Sequence, residues 1–182
     1  MSTAINIENL KKFYGKNPAV NGLSLDIPQG SVFGLVGPNG AGKTTAIRML
    51  CGILKPSAGS GRVLGYEIQK EPEKIKARIG YMSQRFSLYL DLTVEENLVF
   101  LAGAYGLSRD ERREAMHWVI GMTGLEGTEA RWAGDLSGAQ RQRLALACAV
   151  MHRPSVLFLD EPTSGVDPIA RQRFWELIQI LA

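Results

Sequence analysis

Residues 37–44 read Gly37-Pro-Asn-Gly-Ala-Gly-Lys-Thr44, and they directly follow the apolar run Ser-Val-Phe-Gly-Leu-Val at 31–36. The eight residues fit the pattern G-x-x-x-x-G-K-[S/T], in which successive backbone N–H groups form a cradle for phosphate. The apolar run predicts a buried strand, and residues 43–52 predict a helix whose N-terminus favours an anion. The stretch therefore predicts a strand, a loop and a helix that together hold the phosphates of a nucleotide.

Each residue of this loop has an expected contact. Lys43 is expected to reach the β- and γ-phosphates, and the Thr44 hydroxyl is expected to bind Mg²⁺. The competing interpretation is a glycine-rich turn that contains a lysine by chance. The residues expected to contact the nucleotide are Gly37, Pro38, Asn39, Gly40, Ala41, Gly42, Lys43, Thr44 and Thr45.

A second apolar run, Val-Leu-Phe-Leu at 156–159, is followed directly by Asp160 and Glu161. In parallel α/β sheets ligands bind at that edge. Asp160 is expected to hold Mg²⁺, and Glu161 is expected to orient and deprotonate an attacking water. Alternatively, both acids are solvated turn residues.

The remaining pattern predicts an α/β fold. Residues 5–10, 20–27, 62–64 and 79–82 are predicted strands, 55–61 is a predicted loop, and 71–78 is a short predicted helix. Capping boxes at Thr93, Ser108 and Ser137 predict helices to about 105, 122 and 152, and Asp167 with Pro168 starts another. No convincing strand occurs between 85 and 136, which indicates a helical subdomain inserted into the core.

Composition excludes several classes of protein. The chain has 182 residues, which suits one domain or a large piece of one, and its net charge is +3. The sequence has no cluster of basic residues that would indicate a nucleic-acid partner. It also has no apolar run long enough to span a bilayer. Without a signal-peptide pattern, and with two isolated cysteines and two isolated histidines, the sequence predicts a cytosolic protein with no histidine–cysteine metal cluster.

Three further motifs establish a family resemblance. Gln84 follows the strand at 79–82, Leu136-Ser-Gly-Ala-Gln140 is similar to the LSGGQ signature, and Glu161-Pro-Thr-Ser-Gly-Val-Asp167 is similar to an acidic strand end followed by a D-loop. In this order they resemble ATP-binding-cassette (ABC) ATPases over essentially the whole chain. The resemblance implies a P-loop NTPase core with a parallel sheet flanked by helices, an antiparallel β subdomain and a helical subdomain at about 85–136.

The resemblance also implies roles for particular residues. Tyr14 would stack under the adenine of ATP, and Gln84 would sense Mg²⁺ and the water. Ser137, Gly138 and Gln140 would close over ATP held by a second ABC domain, in a head-to-tail dimer. Asp167 would contact that partner subunit. The competing interpretations are a packed aromatic for Tyr14, a surface glutamine for Gln84, and ordinary helix caps for Ser137 and Asp167.

Two departures from the family pattern stand out. Ala139 replaces the usual second glycine of the signature. A histidine usually contacts the γ-phosphate about thirty residues after the acidic pair, but His117 and His152 both precede Glu161. We therefore expect an ABC domain that is incomplete at its C-terminus, binds ATP and hydrolyses it weakly or not at all by itself.

The leading functional hypothesis is the motor subunit of a membrane transporter. Leu92-Thr-Val-Glu-Glu-Asn-Leu98 with Tyr105-Gly-Leu107 resembles the ATPases of ABC-2-type exporters. A separate permease would then hold the chain at the inner face of the membrane, with Phe86 and the apolar residues up to Leu92 as its docking surface. Those side chains could instead pack inside the helical subdomain.

Two other functions remain open at this point. A soluble ABC protein that acts on ribosomes or DNA is the alternative, although 84–136 lacks the sustained heptads of a coiled coil. A P-loop kinase or GTPase outside the ABC family would leave 136–140 unexplained.

Overall fold

The structure is a computed structural model that describes residues 2–84 and 88–181. The described residues form two compact units, and the division falls between Ile79 and Gly80. The phosphate loop belongs to the first unit. Gln84, the acidic strand end and the LSGAQ sequence belong to the second.

An antiparallel sheet dominates the first unit. Strands β1 (Thr3–Tyr14), β2 (Asn17–Pro28), β3 (Ala58–Val63) and β4 (Tyr66–Glu67) pair in the order β2-β1-β3-β4. Gly15, at φ +59°, turns the chain between β1 and β2. Helix α1 (Lys43–Leu50) follows the phosphate loop, and α2 (Pro72–Lys76) follows β4. The expected strands at 5–10 and 20–27 are confirmed, and both are longer than predicted.

Strand β3 corrects the prediction of a loop at 55–61. Residues 58–61 pair with β1, with Gly61 opposite Ile7. A Cβ on Gly61 would run into the side chains of Ile7 and Ile68, so the small residue is what allows this close packing. Glycine and serine have low strand propensity, and pairing with β1 overrides it.

The predicted buried strand at 31–36 is also wrong. The structure assigns no strand to these residues, and no strand of the described chain pairs with them. Three of the apolar side chains are largely exposed, at 66% for Val32, 53% for Phe33 and 95% for Val36. An apolar run forms a strand only where neighbouring strands satisfy its N–H and C=O groups, and hydrophobicity alone does not supply those neighbours.

Two strands, four α-helices and a short 3-10 helix (Ala133–Asp135) form the described part of the second unit. Strands β5 (Ile79–Met82) and β6 (Val156–Leu159) form a two-stranded parallel sheet. The helices are α3 (Val94–Ala104), α4 (Arg109–Thr123), α5 (Gly138–Val150) and α6 (Pro168–Leu181). Both sides of each predicted capping box, at Thr93, Ser108 and Ser137, are formed.

Helix α5 is the centre of the core of this unit. Every residue from Leu144 to Val150 is buried, and Leu144, Leu146 and Ala147 are fully enclosed. Side chains of α3 and α4 pack around it, including Leu98 and Val119. Among the described residues, no helix is both long and apolar enough to cross a membrane.

Both cysteine thiols are buried, one in each unit, so their reactivity tests whether each unit is packed as described. Cys51 belongs to the first unit and Cys148 to the second, and both are buried. Burial raises the pKa of the Cys148 thiol to about 12. Because the thiolate is the reactive form, only on the order of one Cys148 in ten thousand is reactive at pH 8.

We therefore predict that the folded chain does not react with a thiol reagent such as DTNB at pH 8, and that two thiols react in urea. Ile169→Cys, at an exposed position of α6, is the control and should react at once in the folded protein. Rapid stoichiometric labelling of the native cysteines would contradict the burial of both thiols.

Candidate functional site

The backbone of the phosphate loop strongly favours glycine at two positions. Gly40 has φ +81° and Gly42 has φ +89°, both in the left-handed region. A Cβ on Gly42 would also collide with the backbone carbonyl of Ala19. The loop therefore keeps its shape through backbone angles that other residues adopt only at a cost of about 1–2 kcal/mol.

The loop ends at a helix N-terminus that suits an anion. Gly42 is the N-cap residue of α1, and it has no side chain that could cap the first amide groups. The first turn of α1 contains no acidic residue, so nothing on the helix itself offsets the positive end of its dipole. The Lys43 ammonium adds a full positive charge at the same place.

Lys43 is held against the loop rather than extended into solvent. Its Nζ donates to the carbonyl oxygens of Gly37 and Pro38, at 2.8 and 3.0 Å. The Ala41 N–H also donates to the Pro38 carbonyl, which closes the turn before the helix. The lysine thus orders the loop and keeps its positive charge beside the loop backbone.

Beside the loop lies a cavity of about 510 Å³, within the range of small-molecule sites. Residues of β2, of the loop and of α1 line it, among them Asn21, Gly40 and Lys43. Tyr14, whose ring is expected to stack on the adenine, is the last residue of β1 and is 54% exposed. The Lys12 ammonium lies 5.6 Å from the centroid of that ring.

In the second unit, Gln84 and Glu161 lie within hydrogen-bonding distance. Gln84 Nε2 donates to Glu161 Oε2 at 2.8 Å, although 77 positions separate the two residues in sequence. The Asp160 N–H donates to the Met82 carbonyl, so the carboxyl ends of β5 and β6 lie side by side. Asp160 itself is only 1% exposed. This edge presents an amide and two carboxylates together.

The turn after β6 holds Glu161 in an unusual conformation. Its φ of +50° is in the left-handed region, which non-glycine residues rarely adopt. The Ser164 N–H donates to the Glu161 carbonyl, and Asp167 Oδ1 accepts from Ile169 N and Ala170 N. Asp167 is thus the N-terminal cap of α6, which was one of its two interpretations. The other, a contact with a partner subunit, stays a prediction.

The LSGAQ sequence forms the start of α5. Ser137 Oγ accepts from Gln140 N, and Ser137 N donates to Gln140 Oε1, so the cap uses both side chains. Gly138 is the first helical residue, and a Cβ there would meet nothing within 4 Å. The capping box is therefore present, and the contact of Ser137, Gly138 and Gln140 with a nucleotide stays a prediction.

Sequence reasoning missed two buried polar residues beside these elements. Gln142 is 1% exposed, and its Nε2 donates to the Pro162 carbonyl. Asn97 is fully buried and bonds to backbone groups of Tyr89, Leu92 and Thr93. For Gln142 a signal existed, because it shares the i, i+4, i+7 stripe of buried Leu146 and Ala149 on α5.

The candidate metal ligands are few, and they are oxygen atoms. That combination suits Mg²⁺ bound together with a nucleotide better than a metal ion whose ligands all come from the protein. Within the described residues there is no group of three or more histidine, cysteine and acidic side chains that could hold a metal. Mg²⁺ on nucleotide enzymes typically has one or two protein ligands and takes the rest from phosphates and water. The Thr44 hydroxyl and the Asp160 carboxylate fit that pattern, each within its own unit.

The chain resembles known proteins in family, sequence and structure. A family model described as "ABC transporter" matches residues 20–164. "Probable multidrug ABC transporter ATP-binding protein YbhF" of Escherichia coli (strain K12) is 44% identical over 173 residues. "Daunorubicin/doxorubicin resistance ATP-binding protein DrrA" of Streptomyces peucetius is 40% identical over 178 residues. These matches cover 95% and 98% of the chain, but only 30% and 54% of the two relatives.

A solved structure matches the fold along the entire chain. It is cbiO1 from Clostridium perfringens, described as part of the ABC transporter complex cbiONQ. The TM-score is 0.87 with 29% sequence identity, and the match covers 100% of this chain and 74% of cbiO1. The expected fold class, an α/β P-loop core with an antiparallel sheet and added helices, is therefore confirmed.

The geometry of the loop makes a prediction about Gly42. Gly42→Ala should weaken MgATP binding by at least about tenfold, because the new Cβ strains the backbone and displaces the loop from Ala19. Gly34→Ala is the matched control, since a Cβ there meets nothing within 4 Å, and it should bind within about twofold of wild type. Equal affinities by calorimetry would show that the loop does not depend on this angle.

Proposed function

The chain belongs to the ABC transporter family, and we propose that it binds and hydrolyses ATP to power a membrane transporter, of exporter type. The observation that carries the catalytic part is the 2.8 Å hydrogen bond between Gln84 and Glu161 at adjoining strand ends. The chain covers 30% to 60% of the lengths of the ATP-binding relatives that it matches.

We propose that the residues of the first unit bind the nucleotide. The backbone of 37–42 and the first turn of α1 hold the phosphates, with Thr45 in that turn. The Lys43 charge neutralises them as negative charge develops in the transition state. Tyr14 stacks on the adenine, which its exposed ring supports.

The second unit supplies the residues for water activation in this proposal. Glu161 accepts the proton of the attacking water, and the Gln84 amide orients that carboxylate and the water. Asp160 and Thr44 are assigned to Mg²⁺, which neutralises phosphate charge. Asp160 supports this role by its chemistry and its place, since it is a carboxylate at the carboxyl end of β6 and Mg²⁺ prefers oxygen ligands.

Two protein partners follow from the same proposal. A second ABC domain would meet the Ser137 end of α5 in a head-to-tail dimer, so that Ser137, Gly138 and Gln140 contact its nucleotide. A transmembrane permease would hold the chain at the inner face of the membrane. In support, the names of the relatives include multidrug and drug-resistance ATP-binding proteins and a Nod factor export protein.

We propose that the permease docks on exposed aromatic and aliphatic side chains near the start of α3. Tyr89 and Leu90 are 45% and 55% exposed, whereas Leu88 packs against the core. The Tyr89 ring makes an edge contact with exposed Phe100, at 4.8 Å between centroids. Phe86, the other residue expected on this surface, lies outside the described residues. Tyr89, Leu90 and Phe100 form what we call the docking surface.

The catalytic assignment predicts the effect of Glu161→Gln in the complete transporter. The amide cannot accept the water's proton, so kcat should fall by at least about a hundredfold while ATP binding stays within about threefold. Glu176→Gln, on the exposed side of α6, is the control and should keep wild-type turnover. Phosphate release and nucleotide titration measure the two quantities. Loss of binding with unchanged kcat would contradict the assignment.

The docking surface makes a separate prediction. Tyr89→Ala and Leu90→Ala should each lower co-sedimentation of the chain with membranes that contain the permease, because apolar contact area is lost. ATP affinity should not change. Ile53→Ala, which removes an equally exposed apolar side chain from the first unit, is the control. If Tyr89→Ala instead weakens ATP binding and leaves sedimentation intact, the side chain has a structural role.

A further inference from the structure

Gln142 is a buried amide on the helix that starts with the LSGAQ sequence. It lies five positions after Ser137, in the second turn of α5. Its side chain is enclosed, and its Nε2 donates to the backbone carbonyl of Pro162. A buried glutamine has to satisfy its amide, and this one does so on the residue directly after Glu161.

The peptide that Gln142 holds is part of a strained turn. Glu161 combines φ +50° with a following proline, whose ring further restricts the residue before it. Such a conformation persists only where the surroundings hold it. Along the turn, Ser164 N donates to the Glu161 carbonyl, and the Gln142 amide holds the next carbonyl, that of Pro162.

We propose that Gln142 is a positioning residue for Glu161, an inference that rests on the proposed function of Glu161 as the base. The amide anchors the Pro162 carbonyl and so helps to hold the turn in which Glu161 has its left-handed backbone conformation. In that turn the Glu161 carboxylate accepts from Gln84 Nε2 at 2.8 Å. Gln142 also ties the Ser137 helix to the catalytic turn of the same subunit, so a displacement of α5 moves Glu161.

The first test is Gln142→Met, which keeps the length of the side chain and removes the donor. In the complete transporter, kcat should fall about ten- to a hundredfold, because a displaced base is a poor one, while ATP affinity stays within about threefold. Gln172→Met is the matched control: Gln172 bonds to Glu176 on the surface of α6, and this variant should keep wild-type turnover. Wild-type kcat in Gln142→Met overturns the positioning role.

Rescue distinguishes positioning from a folding defect. Gln142→Glu has the same length, and the burial of this position favours the neutral carboxylic acid, which can donate to the Pro162 carbonyl. At pH 6, and normalised to the folded fraction, Gln142→Glu should keep more of the wild-type kcat than Gln142→Met does. A value for Gln142→Glu equal to or below that of Gln142→Met overturns the proposal.

A double variant tests the route through Glu161. In the Glu161→Gln background, Gln142→Met should lower the residual rate by less than about twofold, since the base it positions is already absent. A further tenfold loss would show that Gln142 acts elsewhere and would overturn the proposal. A different result would contradict the proposed function itself and not only the role of Gln142. That result is a wild-type transporter that hydrolyses no ATP, or a Glu161→Gln variant that keeps full turnover.

Discussion

The hydrogen bond from the Asp160 N–H to the Met82 carbonyl, at 2.9 Å, sets the arrangement of the second unit's polar residues. It aligns the carboxyl ends of β5 and β6, and each strand is followed within two residues by a side chain of the candidate site. Gln84 and Glu161 meet for this reason. The pairing in turn depends on Gly80, because a Cβ there would collide with the Ala149 carbonyl and with Leu157.

Helix α5 links the parts of this unit that the proposed chemistry needs. Its N-terminus is the Ser137 capping box, its second turn bonds to Pro162 through Gln142, and its remaining length is the centre of the core. Because buried leucines such as Leu144 and Leu146 hold the helix, the Gln142 amide is attached to a rigid element. Packing energy thereby supports the position of the carboxylate that we propose as the base.

Features set by short stretches of chain were predictable from the sequence. The three capping boxes need only a serine or threonine and a glutamate or glutamine three residues later, and all three formed as expected. The same holds for the Asp167 cap of α6 and for α1 after the phosphate loop. In each case the interacting groups lie within one helical turn, so no distant residue decides the outcome.

The sequence-based prediction of strands was wrong in two ways: it missed one strand and predicted another that does not form. Both errors have the same physical reason. The glycine-rich residues 58–61 looked like a loop and form β3, because β1 pairs with them. The apolar residues 31–36 looked like a buried strand, yet they have no pairing strand in the described chain and expose Val32, Phe33 and Val36. A strand is defined by hydrogen bonds to other segments, which composition does not reveal.

The sequence by itself determined the phosphate loop, the helix starts, the family and the identity of each candidate site residue. Those depend on side-chain chemistry and on spacings of a few residues. Only the tertiary structure decided that Gln84 lies against Glu161, that Gln142 holds the Pro162 carbonyl, and that Tyr89 and Leu90 are exposed while Leu88 is packed. These facts depend on which distant segments meet, and chain folding, rather than local pattern, brings them together.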